Sequence, residues 1–92
     1  MKMIINRCFG GFGIRQEIID KLGLNAYSYN DDIIRGNPQL IAMIEAGEDI
    51  SDDCAELKVV EIPDENTDYY VDEYDGLETI IYVLDGKIYW EF

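Results

Sequence analysis

The sequence predicts an α+β fold: a small antiparallel sheet with two helices on one face, ordered β-α-α-β-β-β-β in a single domain spanning 1–92. Three observations point there. Residues 69–92, YYVDEYDGLETIIYVLDGKIYWEF, hold two Asp-Gly pairs, each between runs of β-branched and aromatic residues. Asp-Gly in that setting marks a type I′ hairpin turn, because both central residues need a positive φ. Two earlier stretches, 14–22 and the one opening at Asn37-Pro38, repeat apolar residues at helical spacing and stop at Gly23 and Gly47. Finally, 48% of the residues are apolar, enough for a core despite the charge.

The first strand is Met3-Ile4-Ile5, a short β-prone run. It leads into Cys8-Phe9-Gly10-Gly11-Phe12-Gly13 and a helix over 14–22, with Ile14, Ile18, Ile19 and Leu22 as its stripe. Gly23 sits where a C′ glycine belongs. Strand, glycine loop and helix are also the geometry of phosphate cradles. The chain has neither G-x-x-x-x-G-K-[ST] nor G-x-G-x-x-G, so tight turning anchored by Phe9 and Phe12 explains the glycines better. Arg7 and Arg15 flank the loop and keep a small-anion site (Arg7, Gly10, Gly11, Gly13, Arg15) as the alternative.

Residues 24–36 (LNAYSYNDDIIRG) read as a polar connecting loop. Asn37 is then an N-cap and Pro38 the first helical residue, with Leu40, Ile41 and Ile44 on the buried side. Residues 48–53 (EDISDD) form an acidic loop. Asp49, Ser51 and Asp53 alternate as calcium ligands can, but the turn glycine and distal Glu of a calcium loop are missing. A strand over 56–62 (ELKVVEI) stops at Pro63, and the acidic turn 63–68 leads into a meander of strands at 69–74, 77–84 and 87–92.

Two-residue turns fix the meander's register. Tyr74 faces Leu77, Val71 faces Ile80, Tyr69 faces Tyr82, Val83 faces Ile88 and Ile81 faces Trp90. One face then carries Tyr70, Asp72, Tyr74, Leu77, Thr79, Ile81, Val83, Ile88, Trp90 and Phe92. Being the more apolar, it is expected to be the core side. The other face carries Tyr69, Val71, Glu73, Glu78, Ile80, Tyr82, Leu84, Lys87, Tyr89 and Glu91, and is expected outside. There Glu73 stands opposite Glu78, a destabilising like-charge pair, and Tyr69, Tyr82 and Tyr89 align across three strands. That row is either a solvated outer face or a binding surface of acids and aromatics.

The net charge of −13 is carried unevenly. Residues 1–36 hold five bases and four acids, whereas residues 37–92 hold sixteen acids and two bases, Lys58 and Lys87. Direct binding to nucleic acid or an anionic membrane needs a basic footprint and is therefore excluded. A basic protein partner is favoured. Two cysteines, Cys8 and Cys54, suit a reducing compartment. No signal-peptide core or membrane-length apolar run is present, which together points to the cytoplasm.

The chain contains no histidine. Ser-His and Cys-His pairs, imidazole zinc sites and the usual neutral-pH base are thereby removed. Cys8 beside Arg7 lacks a base and reads as a structural thiol. No cofactor, metal or catalytic set is indicated, and the chain is not expected to be an enzyme.

The segments I-I-N-R-C-F-G-G-F-G-I, R-G-N-P-Q-L-I-A-M-I-E-A-G, C-A-E-L-K-V-V-E-I-P-D and E-Y-D-G-L-E, together spanning Ile4 to Glu78, resemble a family of small bacteriophage and prophage proteins. Its members share I-N-x-C-[FY]-G-G-F-G and A-x-L-K-V-V-E-I-P-D followed by Y-D-G. The resemblance implies a phage or mobile-element origin. By analogy with acidic phage proteins that occlude host nucleases, including anti-CRISPR proteins and DNA mimics, the expected function is inhibition of a host defence protein at its nucleic-acid groove. Carboxylates at Asp52, Asp53, Asp64, Glu65, Asp68, Glu73, Asp75 and Glu78 would stand in for phosphates, with Tyr69, Tyr82 and Tyr89 as anchors. Sequestration of a nucleotide-like signal at the glycine loop is the alternative, and an oligomeric structural or regulatory phage protein the third reading.

Overall fold

The computed structural model describes residues 1–24, 32–64 and 67–92, and only the backbone of Asp32 and Ile33. Among the described residues there are five strands: β1 (Lys2–Asn6), β2 (Leu57–Glu61), β3 (Asp68–Tyr74), β4 (Leu77–Leu84) and β5 (Lys87–Glu91). The described helices are α1 (Gln16–Leu22) and α3 (Pro38–Glu45), which flank a helical turn, α2 (Asp32–Arg35). The chain is therefore α+β, in the element order the sequence predicts. The strands divide between two sheets, an antiparallel β1–β2 pair and an antiparallel β3–β4–β5 meander.

The β1–β2 pair is the middle layer. Side chains alternate along a strand, and β1 is buried on both faces. Ile4 points to one side, into a core with Ile14, Ile19, Ile34, Leu40, Ile41 and Ile50. Met3 and Ile5 point to the other, where Val60 and Ile62 join Ile80 and Tyr82 of the meander. The helices thus cover one face of β1–β2 and the meander covers the other.

Local chemistry accounts for the helix ends. The Asn37 side chain accepts from the backbone N–H groups of Gln39 (2.9 Å) and Leu40 (3.2 Å), with Pro38 beginning α3. Such a cap is worth about 1 kcal/mol. Helix α1 ends at Gly23 in the left-handed conformation. It starts at Gln16 rather than at 14, because Ile14 is extended and bridges Ser51. Within the predicted loop 24–36, residues 25–31 lie outside the described set, but 32–35 are helical. Burial of Ile34 and Arg35 imposes that turn against a polar local sequence.

The meander follows its turns. Asp75 and Gly76 have φ of 51° and 89°, Asp85 and Gly86 of 52° and 76°, so both central residues of each turn are left-handed. All five predicted pairings are present. The faces, however, are reversed. Tyr69, Val71, Glu78, Ile80 and Tyr82 turn inward, while Tyr70, Tyr74, Val83, Ile88, Trp90 and Phe92 are exposed. The sequence weighed apolar content alone. Met3, Ile5, Val60 and Ile62 fill the side of Ile80 and Tyr82, and Glu78 finds a counter-ion 43 residues away. No helix among the described residues is long and apolar enough to cross a membrane.

The two turns also differ in their surroundings. A Cβ built on Gly76 would lie 2.3 Å from the Gly11 backbone nitrogen, whereas one on Gly86 meets nothing within 4 Å. Gly86→Ala should cost only the left-handed penalty, about 1–2 kcal/mol, and Gly76→Ala clearly more, since backbone must also move. Urea unfolding of the two variants checks this. Equal losses would show that the 75–76 turn is not packed on the glycine loop.

Candidate functional site

Asn6, at the end of β1, is completely buried and ties three segments together. Its Nδ2 donates to the Cys8 carbonyl (2.8 Å) and the Gly76 carbonyl (2.7 Å), and its Oδ1 accepts from the Glu56 N–H (2.8 Å). The glycine loop, the β3–β4 turn and the entry to β2 therefore meet at one end of the molecule. Close approaches complete the seam. A Cβ on Gly10 would fall on the Cys54 carbonyl, and one on Gly13 on the Asp52 carboxylate. The Cys8 thiol donates to the Cys54 carbonyl at 3.0 Å.

Beside this seam lies the buried ion pair of Arg35 and Glu78, 2% and 4% exposed. Arg35 Nη2 donates to Glu78 Oε2 (2.7 Å) and Nη1 to Glu78 Oε1 (2.8 Å) and the Ile4 carbonyl (3.1 Å). Glu78 Oε1 also accepts from the Asn6 N–H (2.8 Å). The guanidinium lies over the Phe12 ring at 4.7 Å. Arg7, next in the chain, donates to the Glu78 carbonyl (2.6 Å) and Thr79 Oγ1 (3.2 Å). It fills the β4 edge that β5 does not reach.

These contacts redistribute the predicted site. Glu78 cannot offer its carboxylate to a partner, because Arg35 and Asn6 hold it in the interior. Tyr82 is core, stacked on Tyr89 at 5.3 Å, and Tyr69 is half-buried beside it. Burial thus withdraws Tyr82 from any anchor surface, whereas Tyr69 is half-buried and Tyr89, on the edge strand, stays exposed. Glu65 lies outside the described residues. Asp64 and Asp68 sit at the start of β3, and Asp75 at the far end of that seven-residue strand, roughly 20 Å away.

At that far end, Asp52, Asp53, Glu73 and Asp75 ride on abutting turns. Asp52 Oδ1 accepts from the Cys54 N–H (2.9 Å), and Glu73 accepts from the Gly76 N–H. Sequence reasoning missed an aromatic pair among them. Phe9 and Tyr74, 66% and 72% exposed, meet edge-to-face with centroids 6.5 Å apart. The signal is Phe9 itself, which the sequence predicts to be a core anchor and which instead stands 66% exposed.

The anion-loop reading fares poorly on this geometry. Arg7 is directed away from the loop onto the β4 edge, the Asp52 carboxylate lies against Gly13, and Arg15 pairs with Asp49 at 2.9 Å. The hydrogen bond from Arg15 holds the Asp49 carboxyl below the usual carboxylate range. A depressed acid contributes stability above its unfolded pKa and loses it as pH falls through the folded value, so this pair weakens only in acid. A recess of about 540 Å³ beside Gly11 is lined by Phe12, Arg35, Val71, Glu73, Gly76 and Glu78. Two carboxylates against one guanidinium make it unsuited to an anion.

Removing one partner of a buried pair leaves an uncompensated charge, at about 3–5 kcal/mol. Arg35→Met and Glu78→Gln should each cost that much in urea unfolding, and the double variant much less than their sum. Single losses below ~1 kcal/mol would contradict this placement. Comparison of the chain with protein-family models, with curated proteins and with solved structures finds no match.

Proposed function

We propose that this protein is a non-catalytic binding protein that docks on the basic, nucleic-acid-binding surface of another protein and competes there with nucleic acid. The expected target, following the phage-type resemblance, is a host defence nuclease or effector. The observation that carries this reading is the exposed Phe9–Tyr74 pair at the loop end, the end of the molecule that also carries Asp53 and Asp75. Aromatic rings beside carboxylates accept a guanidinium both by stacking and by charge-assisted hydrogen bonds.

Charge placement supports it. Arg35 is turned inward onto Glu78 and Arg7 lies along the β4 edge beside Phe92, while Lys2 and Arg15 are engaged by Glu45, Glu17 and Asp49. Lys58 donates to the Phe92 carbonyl. The field at the loop end is accordingly negative and draws a basic partner over a Debye length of about 8–10 Å.

The test is capture from a bacterial lysate on the immobilised protein, at low and high salt, with DNA as the displacing agent. A nucleic-acid-binding protein held at low salt and released by DNA is expected. Affinity for it should drop at least tenfold, about 1.4 kcal/mol, in Phe9→Ala/Tyr74→Ala and in Asp53→Asn/Asp75→Asn. Capture that is flat with salt, or indifferent to both variants, would sink the proposal.

A further inference from the structure

The outer face of the meander poses a separate question. Tyr70, Val83, Ile88, Trp90 and Phe92 are 58%, 44%, 59%, 59% and 61% exposed, on one side of one sheet. This face is more apolar than the buried one. At the usual side-chain areas it presents about 500 Å² of apolar surface, the size of the largest patch on an ordinary monomer, which is often functional.

We propose that a second copy of this chain covers this face, two meanders packing sheet on sheet. Two such patches together remove roughly 1,000 Å² from water, where specific interfaces begin. The distribution of charge selects the occupant. On the outer face the only charged side chains of the three strands are Asp68 and Asp72, both on the β3 margin. The β4 and β5 columns carry none, as in the charge-poor, aromatic centre of a homodimer interface. A basic partner would find its carboxylates at the loop end instead.

The margins are also self-complementary. Asp72 stands in the row of Thr79, and by continuation of the β4–β5 register Phe92 completes that row. Arg7 reaches into it from the opposite side, 3.2 Å from Thr79 Oγ1 and 5.2 Å from the Phe92 ring centroid. A two-fold axis along the strands lays the β3 margin of each copy over the β5 margin of the other. Asp72 of one copy then approaches Arg7 of the second, satisfying the isologous pattern of a closed dimer. Aligned packing within about 30° is the ordinary arrangement of two twisted sheets.

The experiment uses the purified protein alone, so it stands apart from the partner-binding reading. Sedimentation equilibrium across the micromolar range should show a monomer–dimer equilibrium. Trp90 is the sole tryptophan, so its emission should shift to the blue over the same concentrations. Trp90→Asp and, separately, Ile88→Lys should weaken the dimer at least tenfold with the far-UV circular dichroism unchanged, while Asp53→Asn should leave it intact. A chain monomeric throughout, or a dimer whose Trp90 emission does not move, overturns the proposal. So does a dimer that folded outer-face variants leave unaltered.

Discussion

The structure depends on one buried carboxylate. Glu78 sits in the central strand of the meander, on its inward face, where an unpaired charge would be prohibitive. Arg35 supplies the counter-charge and Asn6 a backbone donor, so elements from both halves of the chain converge on it. The pair adds little net stability, since desolvating both ions offsets much of their attraction. What it fixes is arrangement. A docking of the meander on β1–β2 that parts the two leaves whichever ion stays buried without its counter-charge.

That pair also explains which parts of the fold were legible in the sequence. The meander's register was readable, because Asp75-Gly76 and Asp85-Gly86 act locally and a two-residue turn admits one pairing. The caps at Asn37-Pro38 and Gly23 were readable for the same reason. Which face goes inward is a non-local decision. The apolar count favoured the side of Trp90 and Phe92, and the Glu73–Glu78 pairing looked like a penalty on the other side. Only the three-dimensional position of Arg35, in a stretch that reads as loop, turns Glu78 from a surface acid into the centre of the molecule. The candidate site followed suit: Asp52, Asp53, Glu73 and Asp75 gather at one end, whereas Glu78 and Tyr82 were absorbed by the core.

The glycine loop carries a related lesson. A strand, a glycine-rich turn and a helix suggest an anion cradle when read in isolation. Here the absent side chains at Gly10, Gly13 and Gly76 let three turns approach within backbone contact. The loop is a seam. Its neighbours are a carbonyl and a carboxylate, groups that oppose a phosphate. The cations that flanked it in the sequence face elsewhere, Arg7 onto β4 and Arg15 onto Asp49.

Two surfaces remain once the interior is accounted for, and their chemistries differ. The loop end pairs exposed rings with carboxylates and suits a cationic partner over a small area. The meander's outer face is broad, apolar and nearly free of charge. Joining two copies through that face would place −26 formal charges on one particle, so the apolar burial must outweigh a repulsion that salt screens only beyond about 8–10 Å. The location of the carboxylates makes this feasible. Those at the loop end and at the start of β3 lie at the two ends of the strands, at the margins of the apolar patch and not under it. Self-association through β4 and β5 and recognition of a basic surface at the strand ends are then compatible, and the first would present the second in duplicate. Two linked loop ends bind a partner with paired basic sites far more tightly than either does alone, through effective concentration and with no new contact.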